Sequence, residues 1–191
     1  MQAIMPVTQA NMDVIIGNQG AQGQLGIERV FADHKELVFR AAYRVTGNST
    51  DAEDVLQTVF LRLLRLEQTP EIHFLRAYLH RAAVNAALDL LRARKDSQNL
   101  PLEDQPEMAG TDSASSLQET RELRGWLRGA LSRLNPRWAE MFVLRFIEDY
   151  SNQEIARMMK TSAAVVAVAL HRTRAQLRKD YVATMKMRGT R

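Results

Sequence analysis

Residues 74–95, FLRAYLHRAAVNAALDLLRARK, carry two stripes at helical spacing, and that periodicity constrains the fold more than any other part of the chain. Leu75, Leu79, Ala82, Ala86 and Leu90 follow the pattern of a buried helix face, which predicts one or two consecutive helices here. A second stripe runs through Phe74, Tyr78, Arg81 and Asn85, and the segment ends in Arg92, Arg94 and Lys95. Aromatic rings stack on unpaired bases, an amide can read a base edge, and cations hold phosphates. These are the groups needed to hold a DNA strand leaving its duplex. A core helix with a wet face and a basic C-terminus that suits its dipole has the same pattern, so the rest of the chain must decide.

The chain has 191 residues, room for one ordinary domain or two small ones. A net charge of +4 and a pI near 9.7 suit an acidic polymer as partner. With no cysteine, disulfides and thiolate metal sites are excluded. The four histidines (His34, His73, His80 and His171) show no ligand spacing, and no cofactor is called for. No apolar run approaches the length of a membrane span, so no membrane insertion is expected. Residues 1–24 lack a basic start and an adequate apolar core, which argues against a signal peptide. They read as a disordered tail, with Met5 and Met12 as alternative starts.

From Leu25 to Val45 the spacing of Ile27, Val30, Phe31, His34, Leu37, Val38, Ala41, Ala42 and Val45 predicts a helix, ended by Gly47-Asn48-Ser49. Thr50 and Glu53 then have the spacing of a capping box. Behind it Ala52, Val55, Leu56, Val59, Phe60, Leu63 and Leu64 predict a wide buried face, with Asp54, Gln57 and Leu61 on another side. Residues 67–71, with Pro70, predict a turn, so 25–95 reads as one helical domain. Residues 96–119 hold six acids, no Lys or Arg, two prolines and four serines, and read as a flexible acidic linker.

Helical periodicity returns from Thr120 to about Tyr181. Leu123, Trp126 or Leu127, Ala130, Leu131 and Leu134 make one helix, stopped by Asn135-Pro136. Trp138, Met141, Phe142 and Leu144 belong to a second. Ser151 and Glu154 form a capping box for a short helix, Lys160-Thr161 is a turn, and Ser162 caps a longer helix. Short helix, tight turn and longer helix predict a helix-turn-helix within a second domain, 120–182, followed by a basic tail, 183–191. The expected architecture is therefore all-α: two small helical domains joined by a linker, the C-terminal one a helix-turn-helix.

In this order the motifs resemble a bacterial RNA polymerase sigma factor of the extracytoplasmic-function (ECF) group of the sigma-70 family. Tyr43-Arg44-Val45-Thr46-Gly47, Asp51 to Gln57 and Phe60-Leu61-Arg62 resemble the start of the family's second region. Arg76 to Arg81, Val84-Asn85 and Asp89 to Arg92 resemble its end. Leu134-Asn135-Pro136, Leu144-Arg145, Gln153 to Ala156 and Leu170 to Arg174 resemble the fourth region. The resemblance implies a non-enzymatic, cytoplasmic transcription initiation factor whose partners are core RNA polymerase (the beta-prime clamp helices and the beta flap), promoter DNA and an anti-sigma factor. It implies that Asp54, Gln57, Leu61 and Arg62 meet the polymerase. Tyr78, Arg81, Asn85, Arg92 and Arg94 would meet the −10 element, with Asn85 near the pocket for a flipped base. His171, Arg172, Arg174 and Arg178 would serve the −35 element.

One departure bears on mechanism. The recognition helix opens Ser162-Ala-Ala-Val-Val-Ala-Val-Ala-Leu170, small and apolar where family members carry polar or basic groups. Bidentate base reading is impossible there, which leaves thymine methyls, or DNA shape with phosphate contacts, and predicts weak or shape-led −35 recognition. Lys160 and Asp149 also stand where the family often has turn glycines. A sigma-like interaction protein that directs no promoter is the rival reading, supported by that apolar helix. A nuclease-type metal cluster of Asp51, Glu53 and Asp54 is a remoter one, since helix capping already accounts for those carboxylates.

Overall fold

The computed structural model describes residues 19–66, 72–96 and 114–189, and the side chains of 26–66, 75–95 and 118–187. The predicted turn at 67–71, the linker interior, the Phe74 side chain and most of the N-terminal tail lie outside the described residues. All described elements are helices: α1 (Gln19–Thr46), α2 (Ser49–Leu64), α3 (Ile72–Asp96), α4 (Ala114–Leu131), α5 (Pro136–Phe146), α6 (Asn152–Met158) and α7 (Ala163–Gly189). Contacts divide the chain into two units, Met1–Lys35 and Glu36–Arg191. The first contains the start of α1, which begins at Gln19, inside the stretch read as tail.

In the second unit α3 is the central element and packs against α2, α4, α5 and α6. Leu75, Leu79 and Ala86 are buried as their spacing predicts, and so are Ala83, Val84, Ala87, Leu88 and Leu91. A helix covered on several sides buries more than one stripe. Ala82 and Leu90 are only half-buried. On α2, Ala52, Val55, Val59, Phe60 and Leu63 face the core, but Leu64, expected with them, is 57% exposed.

The α1–α2 corner differs from its prediction by two residues. Gly47 adopts φ +69° and its N–H donates to the Tyr43 carbonyl at 2.7 Å, closing α1 with a left-handed cap. Asn48, not Thr50, then caps α2, its Oδ1 accepting from the Asp51 N–H at 3.1 Å. So short a connection leaves one polar residue between a helix end and a helix start, and Asn48 is that residue. Gly47 also gives room to Arg128 of α4, whose guanidinium occupies the space a Cβ would fill.

In the C-terminal half the predicted stops hold. Asn135 caps α5 with Pro136 in its first turn, and Ser151 and Glu154 form the reciprocal capping box of α6. Ser162 Oγ accepts from the Val165 N–H at 3.2 Å at the start of α7. α4 starts at Ala114, within the stretch read as linker, and a Gln118–Glu122 hydrogen bond of 3.1 Å ties its exposed first turns. α7 runs beyond Tyr181 to Gly189; the Tyr181 ring meets Trp126 edge-on at 4.9 Å, and Thr184 Oγ1 donates to the Asp180 carbonyl. No described helix is long and apolar enough to cross a membrane.

Candidate DNA and polymerase interfaces

Helix α2 separates its carboxylates by face. Asp51 points inward and is fully buried, with Oδ1 accepting from Arg94 Nη2 of α3. Burial pushes its carboxyl above the ordinary range; Arg94 opposes that rise and Asp54 adds to it. Glu53 and Asp54 point outward, so the three acids diverge, and no cluster of three metal-ligating side chains occurs among the described residues. Asp54, Gln57, Leu61 and Arg62 share the exposed side, with Leu61 51% exposed. Leu64 extends this edge one turn on. Its spacing predicts a core position, but at the rim of a wide apolar face a leucine's spacing does not say whether anything covers it.

On α3, Tyr78, Arg81 and Asn85 lie on one half-buried side, as their spacing predicts. The same side meets α5. Glu140 of α5 is only 5% exposed, and its Oε1 accepts from both Arg81 Nε and Asn85 Nδ2, the latter at 3.0 Å. Arg81 Nη1 reaches the Met158 carbonyl at 3.0 Å. A cleft of about 440 Å³ beside these groups is lined by Arg81, Asn85, Asp89, Arg92, Arg137 and Glu140. Arg92 donates one bond to Asp89 at 2.8 Å, while its buried Nε and Nη2 have no hydrogen-bond partner among the described residues. Arg94, by contrast, is already engaged by Asp51.

A second polar junction joins the same helices. His80, buried on α3, sits 2.6 Å from Glu148 through Nε2 and 2.6 Å from the Tyr150 hydroxyl through Nδ1. One neutral tautomer satisfies both, donating to the carboxylate and accepting from the phenol. Burial pushes the Tyr150 hydroxyl up, against Arg76 and with help from Glu148 and Glu154, so it stays a donor. Arg44 completes the group at 2.8 Å from Glu148. None of Glu140, Glu148 or Tyr150 was singled out from sequence. For Glu140 there was a signal: it shares a helix side with Val143 and Leu144, where an acid has to find a partner.

The helix-turn-helix comprises α6, the turn at 159–162 and α7. Val166, Ala169, Leu170, Thr173 and Leu177 of α7 face inward. His171, Arg172, Arg174 and Arg178 are exposed, with the Arg174 guanidinium 5.7 Å from the Phe146 ring. The second helix of the pair thus has an apolar inner side against the domain and cations on its outer side.

Residues 30–97 match the family described as Sigma-70 region 2, and 124–177 match Sigma-70, region 4. The chain belongs to the sigma-70 family. The RNA polymerase sigma-E factor of Streptomyces coelicolor is 32% identical over 83% of this chain and 88% of its own length. The ECF RNA polymerase sigma factor SigE of Mycolicibacterium smegmatis is 34% identical over 82% of this chain, which spans 61% of that relative. Within the family the chain is therefore of the extracytoplasmic-function type. A solved structure, CnrH in complex with the cytosolic domain of CnrY, aligns over 90% of this chain and 97% of its own, with 25% identity and a TM-score of 0.48.

Proposed function

We propose that this sigma factor grips core polymerase with the outer side of α2, holds the melted −10 strand on α3 and docks α7 on the −35 element. Asp54, Gln57, Leu61 and Arg62 would meet the beta-prime clamp helices, and the 120–182 domain the beta flap. Tyr78 and Asn85 would take unpaired bases, while Arg81, Arg92 and Arg94 take phosphates. In this reading the domains are 25–95 and 120–182, joined by the 96–119 linker, and the chain works in the cytoplasm under an anti-sigma factor. The observation that carries the reading is the half-buried side of α3, where Tyr78, Arg81 and Asn85 lie together beside a cleft that Arg92 also lines.

Flipping a base costs on the order of a few kcal/mol, and stacking returns roughly 1–3 kcal/mol per base. A domain this small therefore holds opened DNA only marginally and depends on the polymerase as scaffold. A second contact through α7 raises the effective concentration of the first. Because Glu140 already occupies Arg81 and Asn85, a strand gains that face only when α5 withdraws.

The test is run-off transcription with reconstituted polymerase on a promoter library. Asn85→Ala should relax −10 selectivity, by roughly 1–3 kcal/mol of base discrimination, with polymerase binding intact. Asp54→Ala combined with Gln57→Ala should weaken polymerase capture first. Loss of the same property in both variants would show that the two faces are misassigned.

A further inference from the structure

We infer that α7 selects its DNA site through apolar contact between Val165 and Val168 and thymine methyl groups, without hydrogen bonds to base edges. This rests on the −35 role proposed above and specifies its chemistry. In a helix-turn-helix the first turns of the second helix approach the base edges. From Ala163 to Leu170 no side chain of α7 carries a donor or an acceptor. Val166, Ala169 and Leu170 are spent on the core, against α5 and α6. That leaves Ala164, Val165, Ala167 and Val168 outside, with the two valines 50% and 51% exposed.

The alanines are too short to pass their neighbours, so the valines stand out as a ridge. They are three residues apart on one helix side, about 5–6 Å between Cβ atoms. Base pairs rise about 3.4 Å each, so the ridge spans one to two base steps. The major groove offers one apolar group, the C5-methyl of thymine. What covers the ridge is indicated by charge: exposed Lys160 precedes it, and exposed His171, Arg172 and Arg174 follow. An apolar ridge bracketed by cations suits a polyanion that carries methyl groups in its groove. The cations hold the backbone and set the register, and the valines supply the selectivity.

The experiment uses the full chain with core polymerase and the −35 segment it selects from a promoter library. Duplexes are compared in which −35 thymines are kept or replaced by deoxyuridine, which differs only by the methyl. Affinity should fall about fourfold per contacted methyl, the equivalent of ~0.8 kcal/mol. Val165→Ala and Val168→Ala should weaken binding to the thymine duplex by a similar factor and leave the deoxyuridine duplex unchanged. Both sites are exposed and alanine favours helix, so folding is preserved. Equal affinity for the two duplexes, a selected −35 without thymine, or equal losses by the valine variants on both duplexes overturns the inference and leaves the sigma reading standing. If the holoenzyme prefers no promoter over scrambled DNA, the reading beneath it fails and the inference falls with it.

Discussion

Asp51 illustrates how one residue can have a local and a tertiary role that conflict. In the first turn of α2 an acid complements the helix dipole, yet the fold turns this one fully inward, to Arg94, and leaves Oδ2 without a partner among the described residues. Desolvation outweighs the Arg94 charge, so its folded pKa lies above its unfolded one. The contribution to stability is then fully present below the unfolded pKa and is lost as pH rises through the folded value. Asp51→Asn removes that titration. Urea midpoints across the acid range should fall less steeply with rising pH in the variant, its advantage over wild type growing through the window; parallel profiles would exclude the linkage. Glu154 has the opposite sign: bonds from the Ser151 hydroxyl and N–H hold its carboxyl low, so the α6 cap is intact above the ordinary carboxylate range and lost as pH falls. At this scale sequence showed the Ser151–Glu154 box but not Asp51's inward turn. A cap is decided within four residues, whereas the Asp51–Arg94 pair joins positions 43 apart.

Among the elements, the α6–α7 turn shows what replaces a missing glycine. Lys160 adopts φ +50°, the Lys160 N–H donates to the Arg157 carbonyl and the Thr161 N–H to the Ala156 carbonyl at 2.9 Å. That is a Schellman arrangement, with lysine in the left-handed place usually given to glycine. Asp149 also takes a left-handed backbone before α6, at φ +57°, in a wider turn closed by the Tyr150 N–H on the Leu144 carbonyl at 2.9 Å. The departures noted in the sequence thus leave the turn geometry intact at the cost of backbone strain. Left-handed backbone costs a non-glycine residue roughly 1–2 kcal/mol, offset in part by the roughly 0.5–1 kcal/mol of extra chain entropy glycine loses on folding. Lys160→Gly should therefore stabilise the protein by about 0.5–1 kcal/mol and raise Tm by roughly 1–4 °C, read by calorimetry. A lower Tm would mean that the lysine side chain contributes something the turn alone does not. Helix order and type were legible because the 3.6-residue period is local, but that period left open whether 74–95 forms one helix or two, and it forms one. Helix ends were less so, since α4 opens on the small residues Ala114-Ser115-Ser116 and α7 continues past Tyr181 through Val182 and Met187, which stay exposed.

For the whole molecule, the contacts between α3 and the C-terminal helices matter most, and sequence was silent on them. Glu140 and Glu148 take Arg81, Asn85, His80 and Arg44, partners 55 to 104 residues distant in the chain. Nothing local distinguishes an arginine awaiting a phosphate from one awaiting a carboxylate. The consequence is a closed arrangement in which the protein's own acids hold the groups assigned to the −10 strand. Glu140→Gln keeps the acceptor and the shape but removes the charge. Hydrogen bonds to a charged group are worth about 1 kcal/mol more than neutral ones, so the closed form should lose roughly five- to tenfold in population relative to an open one. Apparent affinity scales with the fraction competent to bind, so the free variant should take a −10 single strand up to roughly tenfold more tightly than wild type. With polymerase present, and α5 already displaced, the two should bind alike. Equal affinities in the free state would mean that Glu140 braces the fold without guarding the DNA face. A gain that persisted in the holoenzyme would instead place its effect on the DNA contact itself.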